Sequence, residues 1–117
     1  MSSMQRPGAV PMREWKWSPA EKAAARKAFD RALRRELDAV VREAKNRAAS
    51  IDEASELWEL EGWLAERRRE IDRTFDFRYS VLPIVFAKLL REGRLAQEDL
   101  YGLAPDKLDA IRNMVRS

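Results

Sequence analysis

The chain has 117 residues, about one domain's worth of sequence, with 45% hydrophobic and 37% charged side chains and a net charge of +3. It contains no cysteine and no histidine, which excludes disulfides, thiolate and imidazole metal sites, and every Ser-His or Cys-His catalytic arrangement. Four glycines are too few for a turn-rich β fold, whereas abundant charge suits amphipathic helices with one buried stripe. The expected fold class is all-α, and no cluster of carboxylates, tyrosines or lysines marks an enzyme site.

Residues 1–49 carry +6, residues 50–76 carry −5 and residues 77–117 carry +2, a distribution that suits two long elements facing each other. Met1 to Pro11 lacks the apolar core of an export signal. The longest apolar run, Val81 to Leu90, is interrupted by Pro83 and Lys88 and falls short of a membrane span of about 20 residues. A cytoplasmic protein with no membrane partner is expected.

In chain order, residues 1–14 hold Pro7, Gly8 and Pro11 without any period and read as a flexible arm. Ser18-Pro19-Ala20-Glu21 is a capping box: the hydroxyl accepts from the backbone N–H three residues on, the carboxylate reaches back, and Pro19 occupies the first helical position, where its missing N–H costs nothing. The first helix then runs to about Ala49 on an apolar stripe of Phe29, Leu33, Leu37, Val40, Ala44 and Ala48. Its roughly 45 Å length exceeds the 30 Å or so of a compact monomer of this size, so a partner along its length is expected.

Ser50-Ile51-Asp52-Glu53 is the expected cap of a second helix, 52–74, with the stripe Leu57, Leu60, Leu64 and Ile71 extended by Phe75. Arg68 fills the turn between Leu64 and Ile71, and Trp58 and Trp63 flank the stripe. Glu66 to Glu70 carries both signs at helical spacing, so Arg67 and Arg69 read as a solvated face, with Arg69 near Glu66. The third element is a short helix to Arg91 if Ser80 is its cap, with Pro83 in the first turn and Gly93 just past the end. A turn near Gln97 to Tyr101 precedes a last helix from Ala104-Pro105-Asp106, buried through Leu108, Ile111 and Val115. The architecture is an arm (1–14), a long-helix dimerisation stalk (15–76) and a helical head (77–117). Two stalks would form a four-helix bundle that buries Leu33, Leu37, Val40, Leu57, Trp58, Leu60, Leu64 and Arg68. Phe75, Phe77 and Tyr79 at the junction read as core or as a docking site.

The string Leu57-Trp58-Glu59-Leu60-Glu61-Gly62-Trp63-Leu64, followed by Arg68-Arg69-Glu70-Ile71-Asp72 and Phe75-Asp76-Phe77-Arg78-Tyr79-Ser80-Val81-Leu82, resembles the fluorescence recovery protein family and its wider bacterial group. The likeness extends from Trp17-Ser18 and Glu21 to Leu103, Asp106-Lys107 and Ile111. It implies an all-helical homodimer without cofactor or catalytic residues. In cyanobacteria such proteins bind the C-terminal domain of photoactivated orange carotenoid protein, speed its return to the resting orange form and help release it from the phycobilisome antenna. The resemblance also implies that Leu57 and Trp58 lie at the centre of the dimer, with Arg68 close by. Three positions depart from the cyanobacterial pattern. Gly62 stands where an aspartate is usual, leaving Arg68 to Glu61, Asp72 or a carboxylate of the partner chain. Ile84 replaces a phenylalanine and Ala110 a lysine on the head's candidate partner surface, where aromatic and positive anchors favour binding. These departures favour a second reading, the same scaffold on a different partner.

Nucleic-acid binding by the basic first helix is a further alternative. Against it, Arg31, Arg34, Arg35, Arg42 and Arg47 do not form one clean face and alternate with Glu36, Asp38 and Glu43.

Overall fold

The computed structural model describes residues 10–117, and among these every regular element is helical. Four α-helices follow one another: α1 (Pro19–Ala49), α2 (Ala54–Thr74), α3 (Leu82–Arg91) and α4 (Pro105–Arg116). A short 3-10 turn at Gln97–Leu100 links α3 to α4. Of the expected arm, residues 1–9 lie outside the described residues, and Met12–Glu14 form a 3-10 turn.

The expected start of α1 is realised in full. Ser18 Oγ accepts from the Glu21 N–H at 3.1 Å, and the Glu21 carboxylate accepts from the Ser18 N–H at 3.0 Å. The α1–α2 connection differs from expectation. Ser50 closes α1, its hydroxyl donating to the carbonyls of Arg47 and Asn46 at 3.1 and 3.4 Å. The cap of α2 is instead Glu53, and Glu56 reaches back to the N–H groups of Asp52 and Glu53 at 2.8 and 2.9 Å. A glutamate three residues into a helix satisfies orphan donors whichever residue precedes it, which is why the Ser50 pattern misled. Likewise Val81, not Ser80, caps α3, with Pro83 in its first turn as expected. Gly93 takes a φ of +76° just beyond α3, the left-handed turn that stops a helix at little cost only with glycine.

One core holds the molecule together, and it crosses the expected boundary at residue 77. Ala25, Ala28, Phe29 and Ala32 of α1 pack with Leu82, Phe86 and Leu89 of α3, with Leu95, Leu100 and Leu103 of the α3–α4 connection, and with Ile111 of α4. Small alanines on this side of α1 let the α3–α4 connection lie close against it, where a Cβ on Gly102 would collide with that of Ala24. The first half of α1 is thus a wall of the head, and only its second half runs free with α2. The result is elongated, 67 × 26 × 21 Å with a radius of gyration of 18.1 Å. A compact chain of this length would have a radius near 13 Å.

Gly62 lies exposed in the middle of α2, and a Cβ there would meet nothing within 4 Å. Gly62→Ala should therefore raise the unfolding free energy by about 0.5–1 kcal/mol, read from the urea midpoint. A fall instead would mean that another chain's backbone approaches α2 at this point.

Candidate functional site

The free end of the molecule is where α1 and α2 run side by side beyond the core. No residue of α2 is buried. Leu57 is 46% exposed, Leu64 39% and Trp58 63%, with Leu37 and Val41 of α1 at 46% and 50%. Among the described residues, five of the seven large exposed apolar side chains therefore sit on these two helices, concentrating the apolar surface in one region. Of the other expected seam residues, Leu33, Val40 and Leu60 are half-buried within the chain. Val41 falls outside the expected stripe, which runs through the adjacent Val40.

Leu57, Glu61, Leu64 and Arg68 recur at steps of four, three and four, which places them on one face of α2. Arg68 is exposed and, among the described residues, has no carboxylate within 4.0 Å, Glu61 and Asp72 included. Trp58 is turned roughly 100° around the helix from Leu57, so one flat seam would hold Leu57 at its centre and Trp58 at its rim. Trp63 has a different role: the Arg47 guanidinium lies 4.6 Å above its ring, tying α2 to α1.

Glu36 fixes where the free helices leave the head. Its carboxylate, 9% exposed, accepts from Arg67 of α2 at 2.7 Å and from Arg94 beyond α3 at 2.7 Å. Arg67 also pairs with Glu70. Burial opposes the charge on Glu36, but the hydrogen bonds from Arg94 and Arg67 outweigh it and hold the carboxyl below its ordinary value. This corrects the expectation that Arg67 belongs to a solvated face; Arg69 does, pairing with Glu66 at 2.9 Å where both are exposed. Glu36 is in helical phase with Phe29 and Ala32, the signal by which its burial could have been anticipated.

The three junction aromatics are packed inward. Phe75 and Phe77 meet the ring of Phe29 edge-on, with centroids 5.4 and 5.0 Å apart. Tyr79 continues the series to Phe77 at 5.5 Å and Trp17 at 5.3 Å, and Arg26 covers Phe77 at 4.4 Å. All three stay half-buried. Ile84, by contrast, is 49% exposed on α3, and Ala110 of α4 is partly covered.

Two further ionic networks brace the head. Glu21 accepts from the Ala104 N–H at 2.8 Å and pairs with the buried Lys107 at 3.1 Å, while the Lys107 ammonium also reaches the Lys16 carbonyl at 2.6 Å. Neither role could be read from a capping-box pattern that accounts for Glu21 locally. Asp99 accepts from Arg31 at 2.9 Å, Arg35 at 2.8 Å and the Ala96 N–H at 2.9 Å. Burial would raise its pKa, but these three donors hold it down to about 2. A depressed carboxylate contributes stability above its unfolded pKa, and that contribution is lost as pH falls through the folded value. The head should accordingly lose on the order of 2 kcal/mol from this group between about pH 4 and 2, and Asp99→Asn should flatten the acid limb of the stability curve. An unchanged acid limb would contradict this pairing.

A family model described as photoprotection regulator fluorescence recovery protein matches residues 17–115. The fluorescence recovery protein of Synechocystis sp. is 40% identical over 100 residues, covering 86% of this chain and 92% of that protein. Its solved structure superposes with a TM-score of 0.83 at 39% identity, spanning 87% of this chain and all of that one. The structure of the Fremyella diplosiphon fluorescence recovery protein gives a TM-score of 0.83 at 38% identity, with the same coverage.

Proposed function

This chain belongs to the fluorescence recovery protein family, and from that membership we propose a non-enzymatic, dimeric, cytoplasmic regulator that binds the C-terminal domain of orange carotenoid protein. Binding speeds that protein's return to the resting orange state and so ends photoprotective quenching. The observation that supports the dimer is a 21-residue helix, α2, without a single buried residue in one chain. Such a helix gains little from its own propensity and needs an apolar face covered to persist. A second copy supplies that cover symmetrically, with Leu57 and Leu64 in the seam and Arg68 set to meet Glu61 or Asp72 of the other chain.

The mechanism is a population shift. A protein that binds the resting arrangement, or the transition toward it, more tightly than the active arrangement moves its partner that way. A tenfold acceleration requires only about 1.4 kcal/mol of preferential binding to the transition state. The direct test follows absorbance of photoactivated orange carotenoid protein in the dark with and without the chain. Acceleration is expected, and none at stoichiometric concentration would overturn the reading.

A second reading, the same scaffold serving a different protein partner, rests on the head. Ile84 is exposed where cyanobacterial members carry phenylalanine, and Ala110 stands where they carry lysine. Restoring both, Ile84→Phe with Ala110→Lys, should strengthen acceleration by several-fold, because an aromatic anchor and a cation are typical of binding hot spots. No gain would favour the different partner.

A further inference from the structure

Beyond the apolar seam and the head, α1 carries a second surface that neither reading uses. Lys27, Arg31, Arg34, Asp38, Arg42 and Lys45 recur at helical spacing and all six are exposed. Five cations and one carboxylate thus line a ridge roughly 27 Å long. Arg31 is drawn partly to Asp99. Among the described residues none of Lys27, Arg34, Arg42 and Lys45 has a carboxylate within 4.0 Å, although Arg26, Arg35 and Arg47 on the same helix do. Residues 1–9 hold no aspartate or glutamate, so they cannot supply one. Most described cations off this ridge have a carboxylate partner, whereas four of the five on it have none.

We propose that this ridge of α1 docks against an acidic protein surface. Leu33, Leu37 and Ala44 lie around the helix from it, and Val41 borders it beside Arg34 and Lys45, so a second copy over the apolar stripe leaves the outer flank at Lys27, Arg31 and Arg42 open to solvent. Uncompensated like charges in a row repel one another, and a carboxylate-rich surface relieves that repulsion while steering the encounter. A protein fits better than a nucleic acid for two reasons. Asp38 interrupts the ridge, and its carboxylate repels a phosphate track but suits an opposing lysine or arginine. Phe29 is the one aromatic between residues 27 and 45, and it is buried, so the ridge offers no platform on which bases could stack.

The test uses the full chain with fluorescein-labelled polyglutamate and, separately, a labelled DNA duplex, read by anisotropy at low and physiological salt. The native chain should bind polyglutamate in a salt-sensitive way and more tightly than the duplex. The combined variant Lys27→Gln, Arg34→Gln, Arg42→Gln and Lys45→Gln should lose at least about tenfold in affinity. A matched control that neutralises Arg13, Lys16, Arg73 and Arg116 should lose less than about twofold, with the light-scattering mass of both variants unchanged. Equal loss in both variants would mean that only net charge matters, and tighter duplex binding would assign the ridge to nucleic acid. Either result overturns the proposal, as does the absence of polyglutamate binding. None of these outcomes depends on carotenoid-protein recovery.

Discussion

Leu57→Glu is expected to yield a folded single chain of 13.6 kDa in light scattering, and the unmodified protein is expected to give twice that mass. Leu57 is 46% exposed in one chain, so a carboxylate there can reach water when the chain is alone. In the seam the same carboxylate would be stripped of water between apolar side chains, a cost of several kcal/mol. Two-fold symmetry makes both copies bear it at once. The head core, from Ala25 to Ile111, does not involve this position, so helicity from the head should survive. The conservative Leu57→Met should keep the dimer. An unchanged mass for Leu57→Glu would move the interface away from the centre of α2.

Glu21→Ala is expected to be the most damaging single change in the head, at about 3 kcal/mol or more. The Glu21 carboxylate satisfies the Ser18 and Ala104 backbone donors and neutralises Lys107, whose side chain is 9% exposed. Removing it leaves a buried ammonium with one carbonyl, that of Lys16, and the faces of Trp15 and Trp17 at 6.0 and 5.2 Å. A buried charge without its counter-ion costs far more than the pair itself contributes. The paired replacement Glu21→Gln with Lys107→Met should recover only part of the loss: the thioether has no charge to desolvate, but the amide's single oxygen can accept from the Ser18 or the Ala104 N–H and not from both. Thermal or urea unfolding of the three proteins would decide this, and a near-neutral Glu21→Ala would show that solvent reaches Lys107.

Much of the fold was legible because its signals are local. Pro19 and Ser18 set the start of α1, Gly93 ended α3, and the apolar period gave α4 its inner face at Leu108, Ile111 and Val115. The details that escaped depend on residues distant in sequence. Glu36 is buried by Arg67 and Arg94, 31 and 58 residues away, so local spacing alone gave Arg67 as solvated. The core crosses the stalk–head boundary because small alanines at 25, 28 and 32 admit the head, whereas the sequence stripe was built on larger side chains. The candidate seam was legible for the opposite reason. Apolar residues at helical spacing share a face whatever their tertiary context, and Leu37, Leu57 and Leu64 lie exposed there. The junction aromatics Phe75, Phe77 and Tyr79 were ambiguous since an aromatic beside a helix end packs or docks with the same composition, and only the contacts to Phe29 and Trp17 separate the two.

A second copy lying along α1 and α2 underlies both the seam and the regulator proposed from it. Sedimentation equilibrium of the unmodified chain at micromolar concentration measures this without any label or partner. A mass of twice 13.6 kDa is the expected result, and 13.6 kDa throughout the concentration range would contradict it.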